Sequence, residues 1–217
     1  MLLDLVNEFG KAFFETFWMM SIAVLFAVVV GVPLGIALFV TREGMFFENR
    51  FVQQVAGTIV NIIRSIPFII LLVVLIPFTK LILGTSMGPT AASVSLTVAA
   101  IPFYARLVEA SLREIDRGVI EAAESCGASP WLIMKDVLLP EAKPGMIAGL
   151  TVTIISLLSY SAMAGIVGGG GIGDLAIRFG YYRFQNDVML ITVIILIILV
   201  QLIQFIGDRL AKAASKK

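Results

Sequence analysis

The chain is built of long apolar runs separated by short polar breaks. Five runs are long enough for a helix to cross a hydrocarbon core, which takes about 20 residues. They are roughly Thr16–Thr41, Ile66–Leu83, Thr90–Arg106, Gly145–Gly168 and Val188–Gly207. Ahead of the first, Leu2, Leu5, Val6, Phe9 and Phe13 recur at helical spacing. They predict a short helix lying along the membrane surface. The first run is too long for the apolar core of a cleavable secretory signal, and no small-residue cleavage pattern follows it. It is expected to remain as a transmembrane helix.

The runs differ in character. The second opens at Arg64-Ser65-Ile66-Pro67. Ser65 reads as the helix cap, Pro67 as a first-turn residue and Arg64 as an anchor at the membrane interface. The competing reading puts Arg64 inside a helix that starts near Val55. The third run is rich in Ala, Ser and Thr and contains Pro102, so it is expected to pack internally with a kink. The fifth is nearly all aliphatic from Val188 to Val200 and reads as lipid-facing. In the fourth, Gly145 and Gly149 form a small-xxx-small pair suited to close helix contact. Thr153, Ser156, Tyr160 and Met163 then follow at steps of three and four, making one stripe. The stripe fits either ordinary packing or the lining of a translocation pathway. In the second case the flexible Met163 side chain is suited to closing a hydrophobic constriction.

Composition supports a membrane protein. Hydrophobic residues make up 59% and charged residues 14% of the 217 positions, against about 45–50% and 25% in soluble domains. The mean hydropathy is +1.01. The expected fold class is all-α: a polytopic membrane protein with five transmembrane helices in a single domain spanning 1–217. Histidine is absent and Cys126 is the one cysteine. That excludes catalysis by a His base, an intrachain disulfide and a Cys/His metal site. The net charge of +1 carries no signal for nucleic acid, and none is expected as a partner.

Charge asymmetry assigns sides. Loops on one face hold twelve basic residues: Arg42, Arg50, Arg64, Arg106, Arg113, Arg117, Lys135, Lys143, Arg209, Lys212, Lys216 and Lys217. The other face holds four: Lys11, Lys80, Arg178 and Arg183. The positive-inside rule makes the first face cytoplasmic. The N-terminus is then outside and the C-terminus inside, as an odd number of spans requires.

The longest loop, 107–144, lies on the basic face and reads as two short helices. Asp116 is the expected N-cap of the first, and Cys126-Gly127 its end. Ser129 caps the second, with Pro130 at its first helical position. Pro140 and Pro144 are expected to stop it. The first helix presents Val119, Ile120, Ala122 and Ala123, and the second Trp131, Leu132, Val137 and Leu138. Such faces need cover, either from lipid or from another protein surface.

Several absences narrow the function. There is no G-x-x-x-x-G-K-[ST] phosphate loop, so ATP energy would have to come from another subunit. No Asp or Glu falls within the five proposed spans, whereas proton-coupled carriers rely on intramembrane carboxylates or histidines. Glu15, Glu109 and Asp208 lie near span ends. Gly168, Gly170 and Gly173 match G-x-G-x-x-G, but they follow an apolar helix instead of a strand, so the match is not a dinucleotide fingerprint. They read as a flexible turn with close backbone packing, as an outer docking loop for an external binding protein, or as both. Five helices leave little room for an enclosed path, and no internal repeat supplies a second half. A symmetric dimer is expected.

One string is specific. Glu121-Ala122-Ala123, three residues, Gly127, nine residues and Val137-Leu138-Leu139-Pro140 together resemble the EAA loop of ABC importer permeases, with Val137 where that family usually has Ile. The resemblance implies that 107–144 carries a coupling helix docked in a groove on an ATPase subunit. Glu121, Ala122, Ala123, Gly127, Leu139 and Pro140 would form this coupling site, with Glu121 supplying an interface charge and Gly127 the sharp turn. Glu124 has a weaker claim to such a role and reads equally as a solvated loop charge.

Most of the chain is also similar to methionine importer permeases of the MetI type. The resemblance rests on Arg64-Ser65-Ile66-Pro67-Phe68, Tyr160-Ser161-Ala162-Met163, the glycines from Gly168 to Gly173, and Gly207-Asp208-Arg209. Arg117 stands where that family often has Pro, which puts the start of the coupling helix in question. The resemblance implies a non-catalytic permease in the bacterial inner membrane, importing L- or D-methionine by alternating access. It also implies a homodimer, two ATPase subunits that bind ATP-Mg, an extracytoplasmic substrate-binding lipoprotein, and no cofactor on this chain. A related permease for another amino acid or a quaternary ammonium osmolyte is the alternative. A channel or scaffold without energy input is a more distant one.

Overall fold

The computed structural model describes residues 2–215, and side chains over 6–215. Lys216 and Lys217 of the basic face, and the side chains of Leu2 and Leu5, lie outside the described residues. The helices are α1 (Leu2–Val40), α2 (Arg50–Ser65), α3 (Phe68–Leu83), α4 (Pro89–Arg113), α5 (Arg117–Ser125), α6 (Pro130–Ile166), α7 (Gly171–Leu175) and α8 (Asn186–Ala214). A π turn, Ala176–Tyr181, continues α7. Four helices, α1, α4, α6 and α8, are each long and apolar enough to span a membrane.

The core is built on a four-residue period in α1. Met19, Ala23, Ala27, Gly31 and Gly35 are all buried and form one ridge along the helix. The small side chains let α4 approach closely: a Cβ at Gly35 would lie 2.5 Å from the Ala105 carbonyl oxygen. Leu96, Ala100, Tyr104 and Val108 of α4 pack into the same core. α4 in turn packs on α6, where the Tyr104 hydroxyl donates to the Met146 carbonyl at 3.1 Å. Gly145 and Gly149 serve this internal seam, since added Cβ atoms would meet Ser111 and Leu107 of α4. α8 joins α6 where Gly207 abuts Thr151, and most of its apolar surface stays exposed, as expected of a lipid-facing helix.

Four expectations are corrected. First, no separate surface helix precedes the first span, because α1 is continuous over 39 residues. Nothing between Phe13 and Thr16 breaks helical geometry, and Thr16 spends its hydroxyl on a distant backbone amide.

Second, the stretch around Arg64 is two helices bent by 108°. Arg64 lies in the last turn of α2, and the Ser65 hydroxyl donates back to the Asn61 carbonyl instead of capping α3. Pro67 is the cap residue of α3, with no side-chain hydrogen bond. The ring of Pro67 drives Ile66 out of the helical region, to φ −82 and ψ 124. At 16 residues α3 rises about 24 Å, less than the roughly 30 Å core. Only the bent α2–α3 pair together passes as a fifth span.

Third, α4 does not end at Arg106 but runs to Arg113. Fourth, Pro140 and Pro144 do not stop a helix. Ile133–Leu138 forms a π turn that ends two residues before Pro140, and the helix carries on to Ile166. This wider turn changes the amide–carbonyl pairing just where proline supplies no N–H. The segment between long helices therefore shrinks from 107–144 to 114–129.

Candidate functional site

The most informative surface is the basic end of the bundle. α5 forms there with the punctuation the sequence predicts. Asp116 Oδ1 accepts from the Gly118 N–H at 2.6 Å, and Gly127 turns at φ +78 after the C-cap Cys126. Ser129 Oγ accepts from the Leu132 N–H at 3.4 Å, with Pro130 at the start of α6. The helix begins at Arg117 with no proline there.

The apolar residues of this loop divide between two faces. Ile120, Ile133, Met134 and Leu138 are buried in the main core, with Ala123 and Val137 packed beside them. Val119, Ala122, Leu132 and Trp131 remain exposed, Trp131 at 69%. Leu139 and Pro140 are half-buried. Glu121 stands on the open surface, 3.5 Å from Arg117 one turn earlier. Glu124 is likewise exposed. The seated half fixes the loop, and the free half offers an apolar patch with a carboxylate at its edge.

Behind the loop lies a feature the sequence reading missed. Glu109 is 2% exposed. It accepts from Arg106 Nη1 at 2.6 Å and from Arg113 on its other oxygen. Arg106 also reaches α2, donating to Asn61 Oδ1 at 2.9 Å and to the Gly57 carbonyl at 3.3 Å. Arg64 sits near this belt, its guanidinium 6.0 Å from the Phe103 ring centre. The signal was present as Arg-x-x-Glu-x-x-x-Arg, pairs at i,i+3 and i,i+4. It was hidden because the span was expected to end at Arg106.

The α6 stripe does not share one environment. Thr153 is 1% exposed and its hydroxyl donates to the Gly149 carbonyl at 2.8 Å. Ser156 is half-buried and bonds back to Val152. Tyr160 stacks on Phe68 of α3 with ring centres 4.6 Å apart and planes 9° from parallel. Met163 is 41% exposed. Of the four, Met163 is exposed, Ser156 and Tyr160 are half-buried with Tyr160 against the start of α3, and Thr153 is sealed in the core.

At the opposite end, α6 leads into the glycine turn. Gly168 and Gly170 adopt φ +84 and φ +76, which side chains disfavour. Glu15 of α1 accepts from the Gly171 N–H at 2.8 Å, and Thr16 Oγ1 from the Ile172 N–H at 2.9 Å. Gly173 is pressed so closely to α6 that a Cβ would lie 2.2 Å from the Ala162 Cα. Arg178 joins Glu8 and Asp174, each at 3.2 Å, around a cavity of about 270 Å³. Close packing is therefore observed at this turn. Among the described residues no group of His, Cys, Asp or Glu is placed to hold a metal ion.

A bundle of membrane-length helices with a seated, half-exposed loop at its basic end defines an all-α polytopic membrane protein. The chain belongs to the family of binding-protein-dependent transport system inner membrane components, whose model matches residues 31–217. Within that family it is 50% identical over 201 residues to the probable D-methionine transport system permease protein MetI of Vibrio cholerae serotype O1, covering 93% of this chain and 89% of that one. It is 46% identical over 212 residues to the methionine import system permease protein MetP of Bacillus subtilis, covering 98% and 96%. The inward-facing MetNI methionine ABC transporter has a chain that overlays with a TM-score of 0.95 at 46% identity, covering 98% of this chain and 99% of that one. The chain is a transport component and not a catalyst.

Proposed function

We propose that this chain imports methionine, of L or D configuration, across the bacterial inner membrane as one half of a homodimeric permease powered by two ATPase subunits. The observation that carries this reading is the combination of 50% identity across 93% of the chain with a methionine permease and an exposed loop surface that nothing among the described residues covers. α5 and the start of α6 act as the coupling helices. The face bearing Val119, Ala122, Trp131 and Glu121 docks in a groove on the ATPase, which alone binds and hydrolyses ATP-Mg. Closure of the ATPase pair draws two such loops together and switches the bundle between outward- and inward-facing states.

The basic end faces the cytoplasm, with the N-terminus outside, by the excess of Lys and Arg there. The glycine turn at the other end meets an extracytoplasmic substrate-binding lipoprotein. The less buried part of the stripe, Ser156, Tyr160 and Met163, lines the seam between two copies, and Met163 narrows it. Arg64 sits at the membrane–water boundary. The binding protein holds most of the substrate selectivity, since nothing in the spans demands a thioether.

The test is uptake of labelled methionine into proteoliposomes holding the permease, its ATPase and the binding protein. ATP-dependent accumulation, competed by unlabelled methionine but not by other amino acids or quaternary ammonium compounds, is the expected result. Accumulation of a different solute in place of methionine overturns the substrate. A complex whose ATPase never responds to the binding protein overturns the importer reading.

A further inference from the structure

A cavity of about 160 Å³ opens at the basic end, where the α1–α2 turn meets the junction of α4 and α5. Its apolar wall includes Phe39, Leu112 and Ile120, all buried. Its rim carries Arg42, Arg113 and Arg117 against a single lining carboxylate, Glu43. Arg117 leans across the α1–α2 turn, with Nη2 within 3.7 Å of where a Cβ on Gly44 would stand.

The charges are unevenly matched. Glu43 is taken by Arg50 at 2.9 Å. Arg113 is engaged by the buried Glu109. Arg117 pairs loosely with the exposed Glu121 at 3.5 Å. Among the described residues Arg42 alone of the three rim arginines forms no ion pair. A half-open cavity keeps a cation of this kind most favourably when an anion completes it.

Depth and neighbours identify the anion. Arg42 is the first charged residue after the apolar run Thr16–Thr41, where such a run meets the polar boundary of a bilayer. Phe47 on that connection and Phe51 in the first turn of α2 both stand exposed. Exposed Phe rings beside basic residues suit insertion at the membrane–water boundary, and basic pockets between membrane helices suit anionic headgroups. A soluble phosphate would gain from the guanidinium groups alone. A phospholipid gains from the apolar wall and the two rings as well.

We propose that this cavity binds the phosphate of an anionic phospholipid, with Arg42 and Arg117 donating to its oxygens and its glycerol and acyl region lying over Phe47 and Phe51. The site touches the first residue of α5. Lipid bound there steadies the start of that helix from the membrane side.

The test uses the purified transporter complex, delipidated and titrated with phosphatidylglycerol or phosphatidylcholine, with bound lipid counted by native mass spectrometry. The wild type is expected to retain phosphatidylglycerol over phosphatidylcholine. Arg42→Gln is expected to lose that retention by roughly fivefold, since one charge at the surface is removed, and Arg42→Lys to keep most of it. Equal retention by wild type and Arg42→Gln overturns the proposal, as does equal binding of the two lipids. A third arm adds inorganic phosphate. If millimolar phosphate displaces the lipid from wild type, the cavity belongs to a soluble phosphate and the lipid assignment is overturned.

Discussion

Arg106 and Glu109 meet at 2.6 Å one turn apart on α4, and the same guanidinium reaches Asn61 on α2. A carboxylate taken out of water is thereby tied to the helix before the 108° bend. The arrangement holds α2 against α4 just behind the loop that carries Glu121.

Removing the buried carboxylate leaves two arginines facing each other without a counterion. Glu109→Ala is expected to destabilise the subunit by on the order of 3 kcal/mol, the lower end for breaking a buried pair because both arginines keep some access to water. Glu109→Gln is expected to fall between the two. Thermal retention of the monodisperse peak in detergent reads the order wild type, Gln, Ala. No difference among the three means that the belt is not structural.

Glu121 lies on the open face and contributes little to the isolated chain beyond one loose pair with Arg117. Its loss is expected to act on partnership. Glu121→Ala should leave thermal stability within about 0.5 kcal/mol, yet reduce ATPase co-purification or transport per ATP. Truncating a partnered interface charge costs on the order of 2–5 kcal/mol. Normal complex yield and normal uptake would remove Glu121 from the coupling role.

Two glycines give opposite expectations. A Cβ at Gly173 would lie 2.2 Å from the Ala162 Cα, a backbone atom that has little room to yield. Gly173→Ala is expected to cost about 1–3 kcal/mol by overpacking, or to prevent assembly of the glycine turn. At Gly10, inside α1, nothing lies within 4 Å of the added methyl. Gly10→Ala is expected to gain about 0.5–1 kcal/mol from helix propensity. Melting of the two variants side by side checks the sign of each.

Burial separates the proposed pathway residues. With the exposed Cys126 replaced by Ser, Met163→Cys is expected to cross-link two copies on mild oxidation, because the residue is 41% exposed and belongs to the proposed seam. Thr153→Cys, at 1% exposed, is expected to stay monomeric under the same conditions. Dimer bands on non-reducing gels read the result. Cross-linking through Thr153 but not Met163 reverses the assignment of the seam.

The apolar runs were legible because membrane length and composition are coarse signals that tolerate errors of a few residues. The caps at Asp116 and Ser129 were legible because they rest on one local hydrogen bond each. Expectations went wrong where the outcome depended on neighbours. Ser65 before Pro67 looks like a cap, but its hydroxyl is satisfied within α2. Pro140 looks like a stop, but a π turn precedes it. Glu109 looks like a loop charge until α4 is seen to continue past it. The four-residue ridge from Met19 to Gly35 was readable in principle, yet its use as the α1–α4 seam needed α4 in place. In the α6 stripe, period alone gave four aligned residues. Which of them open outward was set by α3 and α4, partners that periodicity does not reveal.

The continuation of α6 through its π turn and past Pro140 and Pro144 makes it a lever. Its 37 residues from Pro130 to Ile166 amount to a rod of roughly 55 Å, with Trp131 near one tip and Met163 near the other. Tilting such a rod by about 10° about one end sweeps the other through roughly 10 Å. A modest rotation imposed at the Trp131 tip passes first through the π turn at Ile133–Leu138, and whatever that turn does not absorb reaches Met163 enlarged by the length of the helix.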